Sequence, residues 1–146
     1  MVIAWPTITS PLVGCFIWDQ NYSRELVRGS KECVINVPTF DLVETVVRIG
    51  NSHGPKPDKF EEFGLTAVEA TKVSAPLIAE CYANFECKLI DTSLIKRYSL
   101  FVFEVVKAHA ATSPRYPTTV HYRGDGVFMV SGRNVSYRRL FKPENL

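Results

Sequence analysis

Residues 82–110, YANFECKLIDTSLIKRYSLFVFEVVKAHA, alternate with a period of two through Ala83, Phe85, Cys87 and Leu89, and again through Leu100, Val102, Glu104 and Val106. This is the pattern of long strands, and it puts the turn between them near residues 92–96. From Ser99 to Ala110 nearly every residue is β-branched, aromatic or apolar, which predicts a strand covered on both faces. Downstream, residues 111–119 carry two prolines and read as a loop. Residues 123–126, RGDG, make a tight turn before a strand at 127–130, and residues 137–140 are expected to finish the sheet.

Upstream, the chain alternates between strand and helix signals. The continuous apolar run 12–18 predicts a buried strand that stops at Asp19. Residues 20–38, QNYSRELVRGSKECVINVP, then read as polar turn, helix and strand. The helix spans 22–28 with Leu26 and Val27 facing inward and Gly29 as its left-handed end, and the strand spans 33–37. Asn21 or Ser23 can cap this helix, while the N–H groups of Arg24, Glu25 and Leu26 point outward. Unsatisfied donors and the positive end of the helix dipole suit a phosphate, so the turn is either a plain cap or an anion site. After Pro38, a second helix starts at Thr39 or Asp41, turns Leu42, Val43, Val46, Val47 and Ile49 to one face, and ends at Gly50. Residues 51–59, NSHGPKPDK, hold two prolines and a glycine and form a loop. One helical turn fits 60–63. Thr66 and Glu69 have the spacing of a capping box, although the β-branched residues and proline that follow disfavour a long helix.

Composition narrows the function classes. With 146 residues, 46% of them hydrophobic, the chain is sized for one domain spanning 1–146 with its own core. Seventeen basic and fifteen acidic residues give a net charge of +2 with both signs scattered, which predicts no nucleic-acid surface. No stretch reaches the roughly 18 apolar residues of a membrane span. Cys15, Cys33, Cys81 and Cys87 lack metal-ligand spacing, and no secretory leader precedes them. Free, mostly buried thiols in a reducing cytoplasm are expected, with a Cys81–Cys87 disulfide the less economical alternative. His53, His109 and His121 are far apart in sequence and form no nucleophilic set. Several strands with short helices predict an α+β, mainly β domain built on a small antiparallel barrel.

The ordered set AWPTITSPLVGC, NYSRELVRGSKECVINVP, GNSHGPKPDKFEEFGLT, APLIAECYANFECKLID and FVFEVVKAH resembles the flavin reductase-like, FMN-binding split-barrel family that includes flavoredoxin. The likeness spans nearly the whole chain. It implies an FMN-binding split β-barrel with short flanking helices, a homodimer with a flavin groove near the subunit boundary, and NADH or NADPH as electron donor. Residues 1–5 stand where the family has N-x-M-T-x-S-W. Val2 and Ala4 replace two hydroxyl residues, so flavin contacts there, at Ala4, Trp5, Pro6 and Thr7, fall mainly to the backbone. The N-Y-S of the helix start is intact as Asn21, Tyr22 and Ser23, where phosphate or ribityl contacts are implied.

The family loop N-x-S-G-R-x-x-D-K-F maps onto Asn51, Ser52, His53, Gly54, Lys56, Asp58, Lys59 and Phe60. His53 stands where serine is common and Pro55 where arginine is common, so Lys56 and Lys59 carry the charge that would face a phosphate or the flavin pyrimidine ring. The family has a further strand and hairpin ahead of its first motif, whereas this chain begins inside that motif. Three explanations stand open: a start further upstream, a fragment of a longer protein, or a partner subunit that covers the exposed sheet edge, of which the third predicts a tight dimer. The implied activity is hydride transfer from NAD(P)H to flavin, or through bound FMN to an acceptor, with no catalytic side chain required and no metal. The alternatives are an electron carrier that takes electrons from a protein partner without nicotinamide turnover, and a degenerate barrel that binds no flavin. The RGDG turn could also meet a nicotinamide phosphate, but ordinary hairpin chemistry accounts for it.

Overall fold

In the computed structural model, which describes residues 10–54 and 58–145, the chain runs β1 (Leu12–Phe16), α1 (Tyr22–Ser30), β2 (Glu32–Val37), α2 (Val43–Asn51), α3 (Lys59–Glu62), β3 (Ala67–Val68), β4 (Leu77–Ile78), β5 (Ala83–Asp91), α4 (Ile95–Tyr98), β6 (Leu100–Ala110), β7 (Val120–Gly124) and β8 (Val127–Val130). Single 3₁₀ turns cover Phe40–Leu42, Arg138–Leu140 and Pro143–Asn145. The fold is mainly β with a few short helices, as the alternation predicts. Residues 1–5, which stand where the family has its first motif, lie outside the described residues.

The long strands β5 and β6 form the centre of an antiparallel four-stranded sheet ordered β1-β6-β5-β2. Two small antiparallel pairs, β3-β4 and β7-β8, accompany it. Of the two register shifts between β5 and β6, the one at Glu86/Cys87 organises the central sheet. Cys87 pairs with Val105 but Glu86 pairs with Lys107, so Val106 is the extra residue of a bulge. Before the bulge, Phe101, Phe103 and Val105 share a face with Cys87 and Leu89. Beyond it, Lys107 and His109 share the opposite face with Glu86 and Asn84.

The first face carries the core, in which Val27, Cys87, Ile95, Phe101 and Phe103 cluster and Cys15, Cys33 and Ile35 pack against them. The rings of Phe101 and Phe103 stack at 6.3 Å. On the second face Glu86 is fully buried. Coverage on both faces therefore falls on β5 at Glu86 and Cys87. β6, expected to be covered throughout, turns outward beyond its first half, where Lys107 and Ala108 are exposed. The reason is the bulge, which redirects the strand after Val105.

Other expectations are corrected in the same way. The run 12–18 is not a buried strand: among the described residues β1 is a sheet edge, and Phe16 and Trp18 are 77% and 64% exposed. Leu26 is exposed, because the nine-residue helix turns only Val27 fully inward. Gly29 stays helical and the left-handed end is Lys31, with φ 61°. Ser30 fixes that end, donating from Oγ to Leu26 O at 2.9 Å and accepting from the Glu32 N–H at 3.3 Å. Gly50 lies inside α2, which Ser52 ends by donating from N–H and Oγ to Ile49 O. Val46 and Val47 remain 39% and 40% exposed. Residues 137–140 add no strand and form a 3₁₀ turn instead.

The capping-box spacing at Thr66 and Glu69 produces no helix. Several N–H groups between 66 and 78 are captured instead by side chains of Glu32, Glu80, Asn84 and Glu86. Thr66 N donates to the Glu80 carboxylate at 3.0 and 3.1 Å, and Thr71 N to the Glu86 carboxylate at 3.1 Å. Ser74 N donates to Glu32 Oε1 at 2.7 Å, and Ile78 N to Asn84 Oδ1 at 3.1 Å. Satisfying these donors with acidic and amide side chains leaves the segment irregular but fixed.

Candidate functional site

The captured segment forms one wall of a cleft of about 550 Å³. The opposite wall is α1, through Ser23, Leu26, Val27 and Ser30. The floor is β2, through Glu32, Cys33, Val34 and Asn36. The captured segment contributes Ser74 to Pro76 and Ile78, and Ile49 of α2, Lys59 and Phe60 of α3, and Leu65 complete the lining. The walls are largely apolar, with hydroxyl, amide and ammonium groups set among them, and the size falls in the range of small-molecule sites.

Two predicted site residues, Ser23 and Lys59, come together in this cleft although 35 residues separate them in sequence. Ser23 sits in the first turn of α1. Asn21 precedes the helix with extended backbone and no side-chain capping bond, so neither it nor Ser23 acts as the expected side-chain cap. The Arg24 N–H, expected to point outward, donates to Asn21 O at 2.9 Å. The open donors of the first turn are thereby those of Tyr22 and Ser23.

Arg24 holds this turn to the sheet. Its guanidinium donates to Ile17 O at 3.0 Å and Ser99 Oγ at 3.1 Å, pairs with Asp19 at 3.1 Å, and lies 5.6 Å from the centre of the Phe101 ring. Ser99 Oγ in turn donates to Asp19 Oδ1 at 2.9 Å.

Lys59 is placed by two local devices. Asp58 caps α3, accepting the Phe60 N–H at 2.9 Å, and Lys59 Nζ reaches Ser52 O at 3.4 Å at the end of α2. This contact joins Ser52 to the cleft region, while Asn51 ends α2 and His53 is exposed beyond it. Gly54, with φ 76°, turns the chain in a conformation that favours glycine. Tyr22, the first residue of α1, is 38% exposed and is not among the residues that line the cleft. Ala4, Trp5, Pro6, Thr7 and Lys56 lie outside the described residues. Replacing Asp58 by Ala is expected to cost about 1 kcal/mol of stability, read by urea denaturation, because the α3 cap is lost.

The pair sequence reasoning missed is Glu86 with His109. His109 Nε2 donates to Glu86 Oε1 at 2.6 Å, and the same carboxylate accepts from Thr71 N, Thr71 Oγ1 and Lys72 N. Burial by itself raises this carboxyl, but the imidazole and the Thr71 and Lys72 donors outweigh it and hold the group at about 2. The available signal was a glutamate in the middle of β5, between Phe85 and Cys87. On the cleft floor, Ser74 holds the Glu32 carboxylate below its ordinary value by hydrogen bonds from its hydroxyl and N–H. Among the described residues all four cysteines are free, Cys81 and Cys87 included.

Ser23, at the start of α1, and Lys59 bring a hydroxyl and an ammonium group to the cleft lining, and these residue types suit an anionic group. Leu26, Val34, Phe60 and Ile78 offer an apolar bed beside it. No described helix is long and apolar enough to cross a membrane.

Residues 4–128 match the family model described as flavin reductase like domain. A protein of Archaeoglobus fulgidus is 37% identical over 102 residues, which are 69% of this chain and 58% of that one, so the chain spans less than two thirds of this curated relative. The crystal structure of an FMN-binding domain of flavin reductases-like enzyme from Shewanella baltica is 26% identical, with a TM-score of 0.76 over 86% of this chain and 73% of that chain. Flavoredoxin of Desulfovibrio vulgaris shares the fold at 20% identity and a TM-score of 0.78, over 88% of this chain and 74% of its own.

Proposed function

The chain belongs to the flavin reductase-like domain family, and from that membership we propose that it binds FMN in the cleft between α1 and residues 59–78. The observation that carries this reading is the convergence of Ser23 and Lys59 on one cleft. The donor set fits the group. The phosphate would lie at the start of α1, held by the Ser23 hydroxyl, the first-turn N–H groups and the Lys59 ammonium. The flavin ring would rest against the apolar bed. Asn21, Tyr22, Asn51, Ser52, His53 and Gly54, together with Ala4, Trp5, Pro6, Thr7 and Lys56, complete the proposed set.

When bound, FMN supplies hydride acceptance from NADH or NADPH and delivery of electrons to a flavin or protein acceptor. The chain's own residues orient the cofactor, neutralise its phosphate and exclude water. No side chain is needed as a proton donor in the hydride step. The apolar surface of the β7–β8 hairpin and of the tail after it, including Tyr122, Tyr137 and Leu140 at 65%, 64% and 81% exposure, supports a homodimer.

The test is anaerobic mixing of FMN-loaded protein with NADH or NADPH. Loss of flavin absorbance with one of the two is expected. Stoichiometric FMN that neither nicotinamide reduces would overturn the reductase reading in favour of the electron carrier, and failure to retain FMN would overturn both.

A further inference from the structure

Three of the four cysteines converge on the core face of the sheet: Cys15 from β1, Cys33 from β2 and Cys87 from β5. Cys33 and Cys87 stand directly opposite each other in the antiparallel β2–β5 register. Directly opposed residues of such a pair have Cα atoms roughly 4.5–5.5 Å apart, inside the window a disulfide needs. The two thiols differ in access, since Cys33 lines the cleft while Cys87 is fully buried behind it. Cys81 lies elsewhere, after β4.

We propose that Cys33 and Cys87 are an oxidisable dithiol, a modification site whose reactant is a small peroxide entering the cleft. The inference stands on the cleft and the strand register alone, and holds whether or not the cleft takes FMN.

The chemistry proceeds in two balanced steps. The Cys33 sulfur, having released its proton, attacks one oxygen of hydrogen peroxide; the O–O bond breaks, water leaves after protonation, and Cys33 becomes a sulfenic acid. The Cys87 sulfur then attacks the Cys33 sulfur, the S–O bond breaks, and a second water leaves with the Cys87 proton. In sum, two thiols and one peroxide give one disulfide and two waters, with sulfur oxidised and peroxide oxygen reduced. A small oxidant is required, because only Cys33 meets the cleft. Hydrogen bonding to Cys87 and then burial push the Cys33 thiol up, so little thiolate is present at neutral pH and the first step is slow there, quickening as pH rises. Glu32 and Lys59 are the other titratable residues of the cleft lining, and Cys15 packs against the same core cluster as Cys33. Closure would tie the open edge strand β2 to β5 and remove a thiol from the cleft floor.

The experiment treats the full chain with hydrogen peroxide at pH 7 and pH 9, blocks remaining thiols with N-ethylmaleimide in denaturant, and maps peptides by mass spectrometry. A Cys33–Cys87 linked peptide is expected, formed faster at pH 9 and removed by dithiothreitol. Cys33→Ser is expected to abolish it. Cys87→Ala is expected to leave a Cys33 sulfenic acid that dimedone traps. If Cys87→Ala does not fold, dimedone labelling of the wild type during the first seconds of oxidation replaces it. A missing Cys33–Cys87 link, or thiol loss confined to Cys15 and Cys81, overturns the proposal.

Discussion

Glu86→Ala is expected to lower stability by about 3–5 kcal/mol, because it removes one side of a buried hydrogen-bonded charge and leaves its partners without an acceptor. Those partners are the N–H groups of Thr71 and Lys72, the Thr71 hydroxyl and the His109 imidazole. Domains of this size are stable by about 5–15 kcal/mol, so the loss is a large share of the total. The damage should begin locally, since Thr71 and Lys72 open the segment that walls the cleft. Hydrogen exchange at residues 71–78 is the measurement, with β5 and β6 amides as the internal control.

Glu86→Gln tests the same contact by its pH dependence and is the milder change. The native carboxyl, held at about 2, lies below the ordinary glutamate value. A depressed carboxyl stabilises the fold above its unfolded-state value, and that stabilisation is lost as pH falls toward the native value. The stability gap between wild type and Glu86→Gln should therefore be widest above about pH 5 and narrow steadily toward pH 2. A gap independent of pH would show that the ionised carboxylate contributes nothing.

Ser23→Asp is expected to weaken FMN binding by roughly tenfold or more. Two like charges about 4 Å apart near a surface repel by about 1–4 kcal/mol, and about 1.4 kcal/mol is a tenfold change in affinity. An acidic residue in the first turn favours the helix dipole, so α1 should survive the change. Loss of affinity at unchanged circular dichroism is the expected pair of results. Equal FMN affinity in wild type and variant would place the phosphate somewhere other than the start of α1.

Much of the fold was legible because it depends on local pattern. The alternation through Ala83–Asp91 and Leu100–Ala110 predicts β5 and β6, and the polar turn ahead of Tyr22 predicts α1. What was not legible depends on partners far away in sequence. Thr66 and Glu69 have capping-box spacing, yet the Thr66 N–H belongs to Glu80 and the Thr71 N–H to Glu86, and no local rule announces either bond. Phe16 and Trp18 read as buried because composition cannot distinguish a core strand from an apolar edge. The bulge at Val106 brings His109 onto the face of Glu86, and no local spacing rule links two residues 23 positions apart.

The candidate site divides along the same line. Asn21, Tyr22 and Ser23 were visible as a helix start, and Lys59 as a loop cation. Their meeting needed the register of β2 against β5 and the path of the chain through α2 and α3. The cleft floor at Glu32 and Asn36 also went unpredicted, because β2 read only as a strand and its place at the sheet edge is a property of topology.

Titration of the cofactor-free wild-type protein with FMN, followed by absorbance and flavin fluorescence and repeated with Ser23→Asp, tests the central claim most directly. Saturable, stoichiometric binding with a perturbed flavin spectrum, clearly weakened in the variant, is the predicted result. An unperturbed free-flavin spectrum at every ratio in the folded wild-type protein would contradict it.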